Sequence, residues 1–314
     1  MMPARVQTGC LELGNSRRTS VNDCLYVILD SCRYDSLVAA QTPVLDAFCD
    51  ACDAVVERRY SYASWTSPAH YAFLMGMVPH QSPRGVFASE VYKNDFAKWV
   101  DRLGVSGLSF RSFLPHLSLP KVLREIGYRT VARVSMPVLN RSTSISMYFD
   151  DYRLMEDHND FSGMVRDLAF ADSFPTFCFL NIGETHYPYM LKEDELPHIS
   201  GVHGVFKHMD DLVVRYGDPG ETGSGEFFAK EMLETLQMQQ IRSVEYIDGV
   251  FRDLFLKVPA GTHVIVTADH GELFGEDGYF GHGPIMHEKC FEVPFLEGKV
   301  TEELKRTLEE FPTR

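Results

Sequence analysis

The sequence predicts an α/β protein with a mostly parallel central sheet flanked by helices. Three observations predict it. Continuous apolar runs of strand length recur along the chain, CLYVIL at 24–29, PTFCFLNI at 175–182 and VIVT at 264–267. Unbroken rather than alternating apolarity marks strands buried on both faces. Segments of helical spacing lie between these runs, the sequence mark of βαβ units. Each run is also followed by a polar group containing an acid or a histidine, and the carboxyl edge of an open parallel sheet is where ligands gather.

Residues 1–22 read as an irregular polar leader and 23–314 as a single α/β domain. Cys24–Leu29 is a central strand ended by Asp30, with Ser31, Arg33 and Asp35 following. Thr42–Asp53 has helical spacing through Val44, Leu45, Phe48 and Cys52. In the next segment Pro68 suits the first turn of a helix, because its missing N–H is not needed there. Ala69–Met75 is then that helix, Gly76 its stop, and Thr66 and Ser67 lie at its N-terminus. Residues 82–118 and 191–227 read as insertions; the first carries a short helix near Asp95–Arg102, and the second reads as a lid, a binding loop or disorder, with His203 and His208 solvated. Leu119–Gly127 reads as a helix and Tyr128–Ser135 as a strand. Phe228–Val258 is a long helix with Gly249 as a candidate break. Phe291–Leu296 is a final strand and Thr301–Phe311 a final charged helix.

The chain has 314 residues, 45% hydrophobic and 24% charged, which allows a full core. Its 44 acidic against 30 basic residues give a net charge of −14, which argues against nucleic acid or an anionic membrane as partner. A small anionic substrate would need local positive charge, most simply from a metal. The 7 cysteines are odd in number and irregularly spaced, so no disulfide framework is expected. Cys49 and Cys52 form a lone C-x-x-C inside a helix and read as ordinary helix residues. The opening stretch lacks the apolar core of a signal peptide, and no run approaches the roughly 20 apolar residues of a spanning helix. The expectation is a reduced, cytoplasmic protein without a membrane segment.

The chemistry concentrates at THVIVTADHGELFGEDGYFGHG, residues 262–283. Asp269 and His270 follow a strand directly, and Asp oxygen with His nitrogen suits Zn, Mn or Fe better than Ca or Mg. Alone, the pair is equally an ordinary turn. Asp30 read alone is equally a helix cap. Thr66 sits where free backbone N–H groups and the helix dipole suit an oxyanion, yet a threonine there can also be a plain N-cap. His186 ends a third strand, in GETHYPY. Parallel strands bring these distant residues to one edge, where Asp30, Asp269, His270 and Thr66 itself would hold a metal that keeps the Thr66 hydroxyl as alkoxide.

Four segments in order, VILDSCRYD (27–35), TSPAHYAFLMGMVP (66–79), ETHYPY (184–189) and TADHGELFGEDGYFGHG (267–283), resemble the alkaline phosphatase superfamily, most closely its sulfatase-like members. The resemblance implies Thr66 as nucleophile, Asp30, Asp269 and His270 as metal ligands, and His186 and His282 as residues that contact the transferred group or protonate the leaving group. It implies a catalytic domain that uses Zn or Mn. One ion is the expectation; a second would call on His186, His282 and His287. Sulfatases of the family carry Cys or Ser, matured to formylglycine, where this chain has Thr66. They also have a second Asp where it has Ser31, and an Arg where it has His70. Thr66 is instead similar to the nucleophile of phosphoethanolamine transferases, lipoteichoic acid synthases and nucleotide pyrophosphatases. The expected function is metal-dependent hydrolysis or transfer of a phosphate ester or diester through a phospho-threonine. The alternatives are sulfate-ester hydrolysis and a non-catalytic metal-binding relative. Glu272 and Arg33 are expected to orient the ligands from behind.

Overall fold

Alternation along each strand decides where the layers form, since successive side chains leave a strand on opposite faces. In β1 (Cys24–Leu29) Leu25, Val27 and Leu29 enter one apolar cluster and Ile28 enters another. Strand β5 (Thr176–Ile182) divides the same way, Cys178, Leu180 and Ile182 against Phe177 and Phe179. A strand apolar on both faces must be covered on both, so the sheet lies between two helical layers. The computed structural model describes residues 22–75, 118–190, 230–283 and 285–312.

The helices are α1 (Tyr34–Ala39), α2 (Pro43–Cys52), α3 (Thr66–Met75), α4 (Leu119–Glu125), α5 (Phe161–Asp167), α6 (Lys230–Lys257), α7 (Glu288–Phe291) and α8 (Glu302–Glu309). The other strands are β2 (Glu57–Tyr60), β3 (Arg129–Val134), β4 (Asp151–Leu154), β6 (His263–Ala268), β7 (Leu273–Phe274), β8 (Phe280–Gly281) and β9 (Glu292–Lys299). Seven of the strands form one sheet in the order β2-β9-β6-β1-β5-β3-β4, and β7 pairs with β8 in a separate hairpin. The five strands from β6 to β4 run parallel, while β9 is antiparallel to both β6 and β2. One layer buries Leu37 of α1, Phe48 of α2, Phe161 of α5, Phe251 of α6 and Leu304 of α8; the opposite layer buries Leu74 of α3 against Phe177 and Phe179.

The predicted α/β class is the observed one, and the buried strands and main helices fall close to their expected places. Three differences have local causes. Helix α3 begins at Thr66, three residues before the expected start, so Thr66 occupies its first turn. Helix α6 passes through Gly249 without a break, because Val250, Phe251 and Leu254 continue its buried stripe into the core. Strand β2 was not expected: all four of its residues are exposed, so it has no apolar pattern, and only pairing with β9 defines it. Cys49 and Cys52 are free cysteines of α2, as expected. The leader to residue 21, Gly76, the helix near Asp95–Arg102, the insertions at 82–117 and 191–227, and His203 and His208 lie outside the described residues.

Candidate metal and catalytic site

Strand order brings the site together. Strands β6, β1 and β5 are adjacent and parallel, so Asp269 and His270, Asp30, and His186 leave the same sheet edge side by side. Asp30, Asp269 and His270 are fully buried, and each offers a ligand atom, all within 4.8 Å of one another. His270 Nε2 lies 3.8 Å from Asp30 Oδ1 and 3.4 Å from Asp269 Oδ2. The Thr66 hydroxyl completes the group, 3.4 Å from Asp30 Oδ1 and 3.3 Å from His270 Nε2. Thr66 reaches this position because α3 points its N-terminus at the sheet edge.

The donor set fits a divalent cation. Asp269 Oδ2 is buried with no hydrogen-bond partner, although such an oxygen is normally satisfied. The Nδ1 atom of His270 is 2.9 Å from the Gly271 carbonyl; a proton donated there leaves Nε2 with a lone pair facing the two carboxylates. Burial pushes Asp269 up to about 7. Burial and the neighbouring Asp269 carboxylate also hold Asp30 well above the usual carboxylate range. Two buried acids beside an imidazole that burial pushes toward neutrality form a set that a metal ion would stabilise.

Polar atoms from the scaffold hold the ligands in place. Asn181, inside the apolar β5, donates from Nδ2 to Asp30 Oδ2 at 2.7 Å. The backbone N–H groups of Ser31 and His270 both donate to Asp269 Oδ1 at 3.0 Å. For the first of these bonds Ser31 takes φ 61°, a left-handed conformation that costs a non-glycine residue about 1–2 kcal/mol. Gln240 of α6 helps hold that turn, its Nε2 donating to the Ser31 carbonyl at 2.9 Å and the Thr185 carbonyl at 3.1 Å. The sequence reading missed Asn181 and Gln240. A lone amide within PTFCFLNI was the available signal for the first; a glutamine in a helix gave none for the second. His70 is fully buried in the first turns of α3, its Nδ1 2.8 Å from the Thr66 carbonyl. Burial pushes it down to about 3, so it stays neutral.

The expected supports act on different targets. Glu272 positions His282 rather than the ligands: its Oε1 is 3.2 Å from His282 Nδ1, and its Oε2 accepts from the Tyr189 hydroxyl at 2.6 Å. The Arg33 guanidinium is engaged by Asp35 and Glu276, at 2.5 Å each, and donates to the Glu272 carbonyl at 3.3 Å. His186 and His282 come together, with ring centroids 5.1 Å apart, and His282 lies 4.3 Å from the His270 ring. His287 instead caps α7 and sits 3.6 Å from Asp277. Among the described residues, Asp30, Asp269 and His270 are the group able to hold a metal ion. A pocket opens beside the site, lined by Thr66, Ser67, His186 and His282 together with Trp65, Met136, Pro137 and Val138.

No protein-family model matches the chain, and no curated protein matches it in sequence. Solved structures do match. The C-terminal periplasmic domain of EptC from Escherichia coli, in complex with Zn, is 14% identical with a TM-score of 0.54, over 96% of this chain and 77% of that one. The protein BT4656, solved with its substrate D-glucosamine-2-N,6-O-disulfate, is 12% identical with a TM-score of 0.55, over 90% and 71%. The putative sulfatase yidJ from Bacteroides fragilis is 15% identical with a TM-score of 0.51, over 91% and 70%. The chain shares its fold with these structures, a sulfatase-like α/β fold. One expectation is corrected by these matches. This sulfatase-like fold is shared with periplasmic domains, which overturns the cytoplasmic assignment; an N-terminal stretch without an apolar run does not assign a compartment. No helix among the described residues is long and apolar enough to cross a membrane.

Proposed function

We propose that this chain is a metal-dependent hydrolase or transferase acting on a phosphate ester or diester, with Thr66 as nucleophile. The observation that carries the reading is the Thr66 hydroxyl, 3.4 Å from Asp30 and 3.3 Å from His270 at the head of α3. Asp30, Asp269 and His270 would hold the metal, with Zn or Mn suited to that donor set. When bound, the metal supplies positive charge that favours the Thr66 alkoxide and offsets charge on the transferred group.

The chain's own residues carry the steps. Thr66 Oγ1 attacks phosphorus in line, the Oγ–P bond forms and the ester P–O bond breaks. The N-terminus of α3 directs backbone N–H groups at the equatorial oxygens. His282, oriented by Glu272, or His186 gives a proton to the departing oxygen. Water, or an acceptor alcohol or amine, then attacks phosphorus, and the bond to Thr66 breaks. Two of the structural matches are sulfatases by name or bear a sulfated substrate, which keeps sulfate-ester hydrolysis as the second reading. An unmodified threonine disfavours it, because the family's sulfatases use formylglycine.

The test is a paired assay of wild type and Thr66→Ala with Zn and Mn supplied separately, on an aryl phosphate monoester, a phosphodiester and a sulfate ester. Phosphorus-ester turnover that disappears in Thr66→Ala, with a phosphoryl adduct on Thr66 by mass spectrometry, is the expected result. Turnover that survives Thr66→Ala would overturn the assignment.

A further inference from the structure

The lining of the pocket beside Thr66 combines two kinds of residue. Thr66, Ser67, His186 and His282 are polar. Trp65, Met136, Pro137 and Val138 form an apolar wall, supplied by the residue before α3 and the turn after β3. Met136 is buried against the β3 and β5 side chains, so it is fixed in the scaffold. Trp65 packs on Ala63 and Ala69, which holds the indole at the pocket. Val138 is 43% exposed and marks the open rim. The described lining contains no lysine or arginine that would pair with a second anionic group on a substrate.

The geometry points to a specificity subsite: Trp65, Met136, Pro137 and Val138 receive an uncharged, apolar organic group of the ester. This rests on the ester-transfer reading of Thr66 and adds the class of substrate that the site takes. Polarity follows from the wall: a charged substituent facing it would lose water and find no cationic side chain in the described lining to pair with.

Binding of unreactive phosphonates tests the subsite without turnover. The zinc-loaded full chain is titrated by calorimetry with phenylphosphonate, methylphosphonate and 4-carboxyphenylphosphonate. The chain has 2 tryptophans, so Trp99→Phe leaves Trp65 as the sole fluorophore for a second readout. Phenylphosphonate is expected to bind about tenfold more tightly than methylphosphonate, with a change in Trp65 fluorescence, and the added carboxylate to remove most of that gain. Val138→Asp, at a rim position that tolerates a polar side chain, is expected to bring the phenyl-to-methyl ratio close to one. Equal affinities in wild type, a ratio unchanged in Val138→Asp, or no binding by either phosphonate would each overturn the subsite. Failure of the Thr66 reading shows separately, as ester turnover that does not depend on Thr66.

Discussion

Replacing Asn181 with leucine tests whether Asp30 is held as a metal ligand. The amide Nδ2 donates to Asp30 Oδ2 at 2.7 Å, while Oδ1 accepts from Ser135 N at 3.2 Å and Met136 N at 3.3 Å. Ser135 N keeps its bond to the Asn181 carbonyl at 3.0 Å, so leucine removes the carboxylate's donor and the Met136 acceptor. A hydrogen bond to a charged group contributes about 1.5–3 kcal/mol, and an orphaned buried N–H costs about 1–3 kcal/mol. Leucine's extra apolar area returns about 1 kcal/mol, for a net loss of about 1.5–5 kcal/mol. In a chain of this size that is a fall in Tm of roughly 2–8 °C. Losing the partner that orients a ligand also weakens metal binding by about 10–100-fold. Zinc affinity from competition with a chromophoric chelator, and calorimetric melting with and without zinc, separate the two effects. A Tm that falls while zinc affinity stays within about twofold would refute the reasoning, leaving Asn181 as packing and Asp30 without a ligand's role.

Two further outcomes are expected. Burial pushes Asp269 up to about 7 and Glu272 up to about 8. An acid whose folded pKa is raised binds its proton more tightly when folded, so its stabilisation is complete below about 4, the unfolded value, and is lost as pH rises through the folded one. Metal-free protein should therefore lose stability between about pH 4 and 8, with a weaker slope in Asp269→Asn; a flat chelator-treated melting profile over that range would count against the buried acid pair. Gly271→Ala should cost about 1–3 kcal/mol or more, because a Cβ there would lie 2.0 Å from the Lys289 backbone carbonyl. It should also displace His270, so zinc affinity would fall with stability; a variant that melts and binds zinc like wild type would show that the turn is slack.

Much of this architecture was legible in the chain because its signals are local. A short, unbroken apolar run such as CLYVIL, bounded by polar residues, reads as a strand covered on both sides, and β1 matches it residue for residue. A proline in the first turn of a helix and an acid at the end of a strand are likewise properties of adjacent residues. The convergence of Asp30, Asp269 and His270 followed from a general property of parallel sheets, and their ligand atoms do come within 4.8 Å. What the sequence could not give is non-local. The edge strand β2 exists through its pairing with β9, and no apolar pattern announces an exposed strand. Glu272 meets His282 and Tyr189 rather than the ligands, because the β7–β8 hairpin turns it away from His270. Asn181 became a support for Asp30 only once β5 lay beside β1. The apolar wall beside Thr66 joins residues 65 and 136–138, which share no motif. Strand and helix signals depend on neighbours in sequence, whereas a side chain's partner depends on sheet order and on turns such as the left-handed Ser31, which are set when the whole core packs.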